Sequence, residues 1–163
     1  LLLGETPELI AQGLVSYQAS GMRQNIYEQD GYQIYADCYN ASPDAMEATL
    51  SVLGGMAGEG RRFAVLGSML ELGDYAEEGH RRAGRAAAQY ADALYAYGPD
   101  AAAMVAGARE KGMEHAYAFD DQTALVAALR EDVKKGDALL FKGSRGMRME
   151  RALAMFLGEE VEA

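Results

Sequence analysis

The chain has 163 residues, half of them apolar, with a formal charge of -10 and a single cysteine. That is enough for one globular domain with a core rather than a disordered segment. The acidic balance argues against a nucleic-acid partner, the lone Cys38 excludes an internal disulfide, and no apolar run approaches the roughly 18 residues a membrane span needs.

The first residues, LLLGETPELI, carry neither a Met nor a signal-peptide pattern, and the expectation is a cut inside a longer chain. Thr6-Pro7-Glu8 reads as a helix start, with Leu9, Ile10, Leu14 and Val15 at helical spacing to about residue 20. QNIYEQDGYQIYADC, residues 24–38, predicts a hairpin turning at Asp30-Gly31. Ser42-Pro43-Asp44 caps a helix that stops at Gly54-Gly55. RRFAVLG is a buried strand, and Asp74 with Glu77 suggests a capped helix over about 75–91. ALYAYG is a second strand, followed by a helix from Pro99 to about 111. HAYAF is a third, followed by a helix from Asp120 or Asp121 to about 133. ALLFKG is a fourth, followed by a helix over about 147–157 and a solvated tail. Short, apolar, non-alternating strands separated by helices predict an α/β fold: a doubly wound, mostly parallel sheet with helices on both faces and an N-terminal β-hairpin.

In such sheets ligands bind beyond the carboxyl ends of the strands, so the loops there carry the function. Two are richer than a turn requires. DCYNASPD offers the Asp37 carboxylate, suited to a ribose diol, the Tyr39 ring for stacking, and the Asn40 carboxamide, beside a helix N-terminus that favours negative charge. The plain alternative is a strand-to-helix connector with a Ser cap. FKGSRGMR sets Lys142 and Arg145 around Gly143 and Ser144, with Arg148 beyond, which suits a carboxylate or phosphate. Its plain alternative is a cationic helix start, which the helix dipole disfavours. LGGMAGEGR lacks the phosphate-loop pattern and precedes a strand, so it reads as a helix stop and connector. Glu71, Asp74, Glu77 and Glu78 resemble a metal cage but fit a solvated helix start better. Cys38 reads as a buried thiol, and His80 and His115 as ordinary surface residues without metal-ligand spacing.

Tyr39-Asn40-Ala41-Ser42-Pro43-Asp44, VLGSMLELG from Val65 and KGSRGMRME from Lys142 stand in an order and spacing that resemble the Mur ligases. GMRQNIYE at Gly21 to Glu28 is similar to the junction before their last domain. Three positions depart from the usual pattern: Ala36 where a first Asp is common, Ser42 within N-A-S-P, and Ser68 in LGSM.

The resemblance implies a Rossmann-like C-terminal domain over residues 23–158, preceded in 1–22 by the final helix and junction of a central ATPase domain and followed by an acidic tail at 159–163. It implies an ATP-dependent, cytoplasmic amide ligase of peptidoglycan precursor synthesis. The tripeptide carboxylate of UDP-N-acetylmuramoyl-tripeptide becomes an acyl phosphate that the amine of D-alanyl-D-alanine attacks. ATP and Mg²⁺ would be held mainly by the central domain, whose phosphate-binding loop this stretch lacks, and the chain alone would fold but not ligate. The partners implied are those three substrates and the enzyme's own N-terminal and central domains, with neither nucleic acid nor membrane. The resemblance assigns nucleotide binding to Arg23, Asp37, Tyr39 and Asn40, and D-alanyl-D-alanine binding to Lys142, Gly143, Ser144 and Arg145. It assigns no catalytic residue or metal ligand here. The rival reading is a non-catalytic receiver-like or small-molecule-binding domain, which calls for an acidic phosphoacceptor after the first buried parallel strand; Ser68 stands near that place.

Overall fold

The computed structural model describes Thr6, residues 24–56 and residues 58–160. Apart from Thr6, the helix expected up to about residue 20 and the junction residue Arg23 lie outside the described residues.

Strands β1 (Asn25–Gln29) and β2 (Tyr32–Asp37) form the expected hairpin. Asp30 and Gly31 turn it with φ of 53° and 86°, left-handed at both central positions, the geometry that matches strand twist. Helix α1 (Pro43–Gly54) follows, its first turn capped by Ser42 Oγ, which accepts from the Ala45 N–H at 3.3 Å. Then come β3 (Arg62–Gly67), α2 (Ala76–Tyr90), β4 (Ala93–Tyr97), α3 (Ala101–Glu110), β5 (Ala116–Phe119), α4 (Gln122–Asp132), β6 (Ala138–Lys142) and α5 (Met149–Leu157). Asp121 caps α4 through Oδ1, 2.8 Å from the Ala124 nitrogen. The cap expected from Asp74 and Glu77 is not made. Gly73, at φ 54°, begins a 3-10 turn over Gly73–Tyr75 whose backbone bonds lead directly into α2, so no side chain is needed there.

The sheet order is β1-β2-β6-β3-β4-β5, parallel throughout except for β1 against β2. Side chains alternate between two cores. Tyr35, Ala64, Leu66, Leu94, Ala96 and Leu140 pack with Met46, Leu50 and Leu53 of α1 and with α2 and α3. Ile34, Phe63, Val65, Leu139 and Phe141 pack with Leu125 and Leu129 of α4 and Phe156 of α5. Burial on both faces explains why the strand sequences are continuously apolar. On the first face α2 and α3 touch backbone to backbone. A Cβ on Gly84 would lie 1.8 Å from the Met104 oxygen, and one on Gly107 2.0 Å from the Arg81 oxygen.

The order places the last strand, β6, between β2 and β3. The connections after β2 and β3 run to the α1–α3 face, whereas the one after β6 runs to the α4–α5 face. The crevice at the carboxyl ends of β2, β6 and β3 is therefore the switch point of the sheet. Among the described residues no helix is long and apolar enough to cross a membrane.

Candidate functional site

Register brings the two chemically rich loops together: Asp37, the last residue of β2, pairs with Lys142, the last of β6. Both are buried, at 7% and 1% exposure. Lys142 Nζ donates to Asp37 Oδ2 and, at 2.9 Å, to the backbone oxygen of Asn40. Asp37 Oδ1 accepts the N–H of Gln24 at 3.3 Å, and Gln24 itself sits at φ 52°. A buried carboxylate and ammonium with these extra hydrogen bonds hold three pieces of backbone in register: the strand end, the Asn40 loop and the entry of the chain.

Three of the four residues in Lys142-Gly143-Ser144-Arg145 are thus occupied inside the protein. Gly143 lies where a Cβ would come within 2.7 Å of Met149 Cγ and 3.1 Å of Gly67 Cα, so it lets the ends of β3 and β6 close on each other. Ser144, 7% exposed, accepts the Leu70 N–H through Oγ at 2.9 Å. Only Arg145 projects outward, its guanidinium 5.1 Å from the centre of the Tyr39 ring. Tyr39 is 40% exposed. Asn40 folds back locally, its Oδ1 accepting the Ala41 N–H at 2.9 Å, which leaves its amide nitrogen to donate elsewhere. Tyr39 and Arg145, expected to face two different ligands, meet at the exposed surface above these buried residues.

Below that surface lies a layer of buried polar side chains that motif reading did not single out. His80 of α2 is fully buried, which corrects its expected place on the surface. Its Nε2 accepts the Met69 N–H at 2.8 Å and its Nδ1 lies 2.6 Å from the Ala76 oxygen, so Nδ1 carries the proton. The 3.7 Å approach of Asp100 to Nε2 is then no ion pair, because that nitrogen is an acceptor. Ser68 Oγ accepts the Asp100 N–H at 3.0 Å. Gln122 of α4 donates to the oxygens of Met147 and Arg148 at 2.9 and 3.1 Å, holding the turn in which Arg148 adopts φ 48°. The one legible signal was that His80, Ala83 and Ala87 share the buried stripe of α2. Cys38 is buried as expected, and burial, aided by the negative charges of Glu150 and Asp37, pushes its thiol up to about 12. It packs and does not act as a nucleophile at neutral pH. Among the described residues no group of three or more His, Cys, Asp or Glu could hold a metal ion.

The family model for the Mur ligase glutamate ligase domain matches residues 22–145. This chain belongs to the Mur ligase family. The UDP-N-acetylmuramoyl-tripeptide–D-alanyl-D-alanine ligase of Bacillus subtilis is 36% identical over 150 residues, 90% of this chain and 33% of that protein. The crystal structure of the MurF ligase from Thermotoga maritima in complex with ADP superposes with a TM-score of 0.80 at 34% identity, covering 97% of this chain and 35% of that one. MurF from Acinetobacter baumannii gives a TM-score of 0.83 at 30% identity, covering 96% and 35%. The chain thus spans about a third of the length of the curated relatives it matches. The doubly wound sheet of this Mur ligase domain is the fold its sequence predicts, and the loops after β2, β3 and β6 carry YNASPD, SMLELG and GSRGMR to its switch-point crevice.

Proposed function

We propose that this chain is the C-terminal domain of a cytoplasmic ligase that adds D-alanyl-D-alanine to UDP-N-acetylmuramoyl-tripeptide at the expense of ATP. Residues 23–158 form the domain, 1–22 the end of a central ATPase domain with its junction, and 159–163 an acidic tail. The observation that carries the reading is the contact of Arg145 with Tyr39 above the buried Asp37–Lys142 pair. It joins an aromatic platform to a cation at a switch point, in a chain whose relatives carry that ligase name.

The residues present fit one side of a nucleotide. Tyr39 offers a ring face and Asn40 an amide donor, and we assign both to the nucleoside, and Arg23 to the phosphates. We assign Mg²⁺ and most of the phosphate contacts to the central domain, as the resemblance to the Mur ligases implies. ATP supplies the phosphoryl group that activates the tripeptide carboxylate. The chain's own residues bind and orient. Arg145 anchors the terminal carboxylate of the dipeptide, a group that suits a planar guanidinium. Asp37, Lys142, Gly143 and Ser144 serve both ligands from below by fixing the loops that carry Tyr39, Asn40 and Arg145. Catalysis in this domain is then positioning, with no nucleophile or general base required of it.

The test is substrate choice by the full-length enzyme that contains this chain. It should form ADP and an amide product with the UDP-linked tripeptide and D-alanyl-D-alanine, and not with single amino acids in place of the dipeptide. Equal or better use of a single amino acid would replace this reading with that of another Mur ligase.

A further inference from the structure

Glu71 is held in an unusual way. It is exposed and lies in the loop after β3, at φ 70°, a left-handed conformation that costs a non-glycine residue. The two N–H groups just before it are each captured by a buried side chain from another element. His80 of α2 accepts from Met69, and Ser144, after β6, accepts from Leu70. The Leu70 side chain rests on Gly146, where a Cβ would fall 2.7 Å from Leu70 Cδ1. The Glu71 loop is thereby fastened to the residue next to Arg145. Neither helix capping nor a described hydrogen bond or ion pair uses the Glu71 carboxylate, and α2 begins without any side-chain cap. Backbone strain overdetermined by buried polar groups is found where a side chain must be presented at a fixed place.

We infer that Glu71 binds the ammonium end of the incoming dipeptide, opposite the Arg145 anchor for its carboxylate. The inference rests on the proposed dipeptide specificity and deepens it. A zwitterion with charges at its two ends is recognised by one anion and one cation on a shared rigid support, and Arg145 and Glu71 provide them on the neighbouring loops after β6 and β3. Glu71 is a specificity residue for the dipeptide and takes no part in holding ATP.

The experiment uses the full-length enzyme, the dipeptide, and D-lactoyl-D-alanine, which has a hydroxyl in place of the amine, as a competitive inhibitor. Glu71→Gln should raise the dipeptide KM roughly ten- to hundredfold, the loss of a charge-assisted hydrogen bond. The ATP KM and the inhibition constant of D-lactoyl-D-alanine should stay unchanged, because neither involves the ammonium. Glu71→Gly relieves the backbone and should keep or raise the thermal midpoint while raising the dipeptide KM as much as Glu71→Gln does. If Glu71→Gly or Glu71→Gln ligates with an unchanged dipeptide KM, or if inhibitor and dipeptide weaken together, the assignment fails. A wild-type enzyme that ignores D-alanyl-D-alanine would instead remove the proposed function beneath it.

Discussion

The two ends of the sheet are both bound by buried or half-buried charges, yet they use them differently. At the amino end, Asp137 is 4% exposed and accepts the N–H groups of Arg61 and Lys134, each at 2.8 Å. Arg61 reaches Asp132 at 3.0 Å, and Arg62 grips Asp92 at 2.9 Å. Each group closes a turn or joins two elements. At the carboxyl end, Asp37, Lys142, Ser144, His80 and Gln122 also satisfy backbone, but the backbone they hold presents Tyr39, Asn40, Leu70, Glu71 and Arg145 to solvent. Left-handed backbone without glycine occurs at both ends, but at the amino end Asp30 owes it to the hairpin turn, whereas at the carboxyl end Gln24, Glu71 and Arg148 adopt it in loops held by buried polar side chains. Polar burial alone therefore does not mark a site. Polar burial that fastens strained, exposed, chemically varied residues does.

Breaking the buried pair should have the largest effect and should damage both stability and ligation. Lys142→Met leaves the Asp37 carboxylate buried and alone, and should cost about 3–5 kcal/mol in urea denaturation. Asp37→Leu combined with Lys142→Met should recover most of that loss, since two apolar residues leave no buried charge, while ligation by the full-length enzyme stays impaired because Asn40 loses its tether. Recovery of both would deny the pair any role in positioning.

At the other end the two effects should separate. Asp137→Ala removes the acceptor for two backbone N–H groups and should cost about 2 kcal/mol of stability. The KM values for ATP and dipeptide in the folded variant should not move. A shift in either would mean that the amino end also communicates with the ligands.

Within the site, the contact of Arg145 with Tyr39 can be weighed by a double-mutant cycle on dipeptide binding. Tyr39→Ala should weaken the dipeptide through Arg145, with a coupling of about 1 kcal/mol, whereas Tyr39→Phe keeps the ring and most of the coupling. Independent effects of the two substitutions would make the contact incidental.

The smallest effect is expected at Asp92. The hydrogen bond from the Arg62 guanidinium, opposed by partial burial, holds its carboxyl below the usual range. A carboxylate lowered on folding stabilises the native state above its unfolded pKa and loses that stabilisation as pH falls through its folded value. The pair is partly exposed, so its share is at most about 1 kcal/mol and is screened by salt. Comparing Asp92→Asn with the parent protein at pH 7 and in the acid range should show a difference that shrinks as pH falls.

Most of the fold was legible because its signals are local. Asp30-Gly31 turns the hairpin, Ser42 and Asp121 cap their helices, and each strand is a short apolar run. The cap expected from Asp74 failed for a local reason too: Gly73 took a left-handed turn and supplied backbone bonds in its place. The two site loops were legible because both follow strands. Their contact was not, because it depends on the last strand entering between β2 and β3, a register that no neighbouring residues encode. For the same reason Asp37 and Lys142 read as two ligand contacts rather than as one internal pair. His80 and Gln122 were hidden because they reach the site from helices on opposite faces of the sheet.

The central claim is that the carboxyl-end surface binds the two ligands by separable groups, with Arg145 serving the dipeptide. Steady-state kinetics of Arg145→Ala in the full-length enzyme, each substrate varied in turn, tests it most directly. The expected result is a dipeptide KM raised by roughly thirtyfold, equivalent to about 2 kcal/mol, with the ATP KM unchanged. An ATP KM that rises while the dipeptide KM stays put would give Arg145 to the nucleotide and contradict the account.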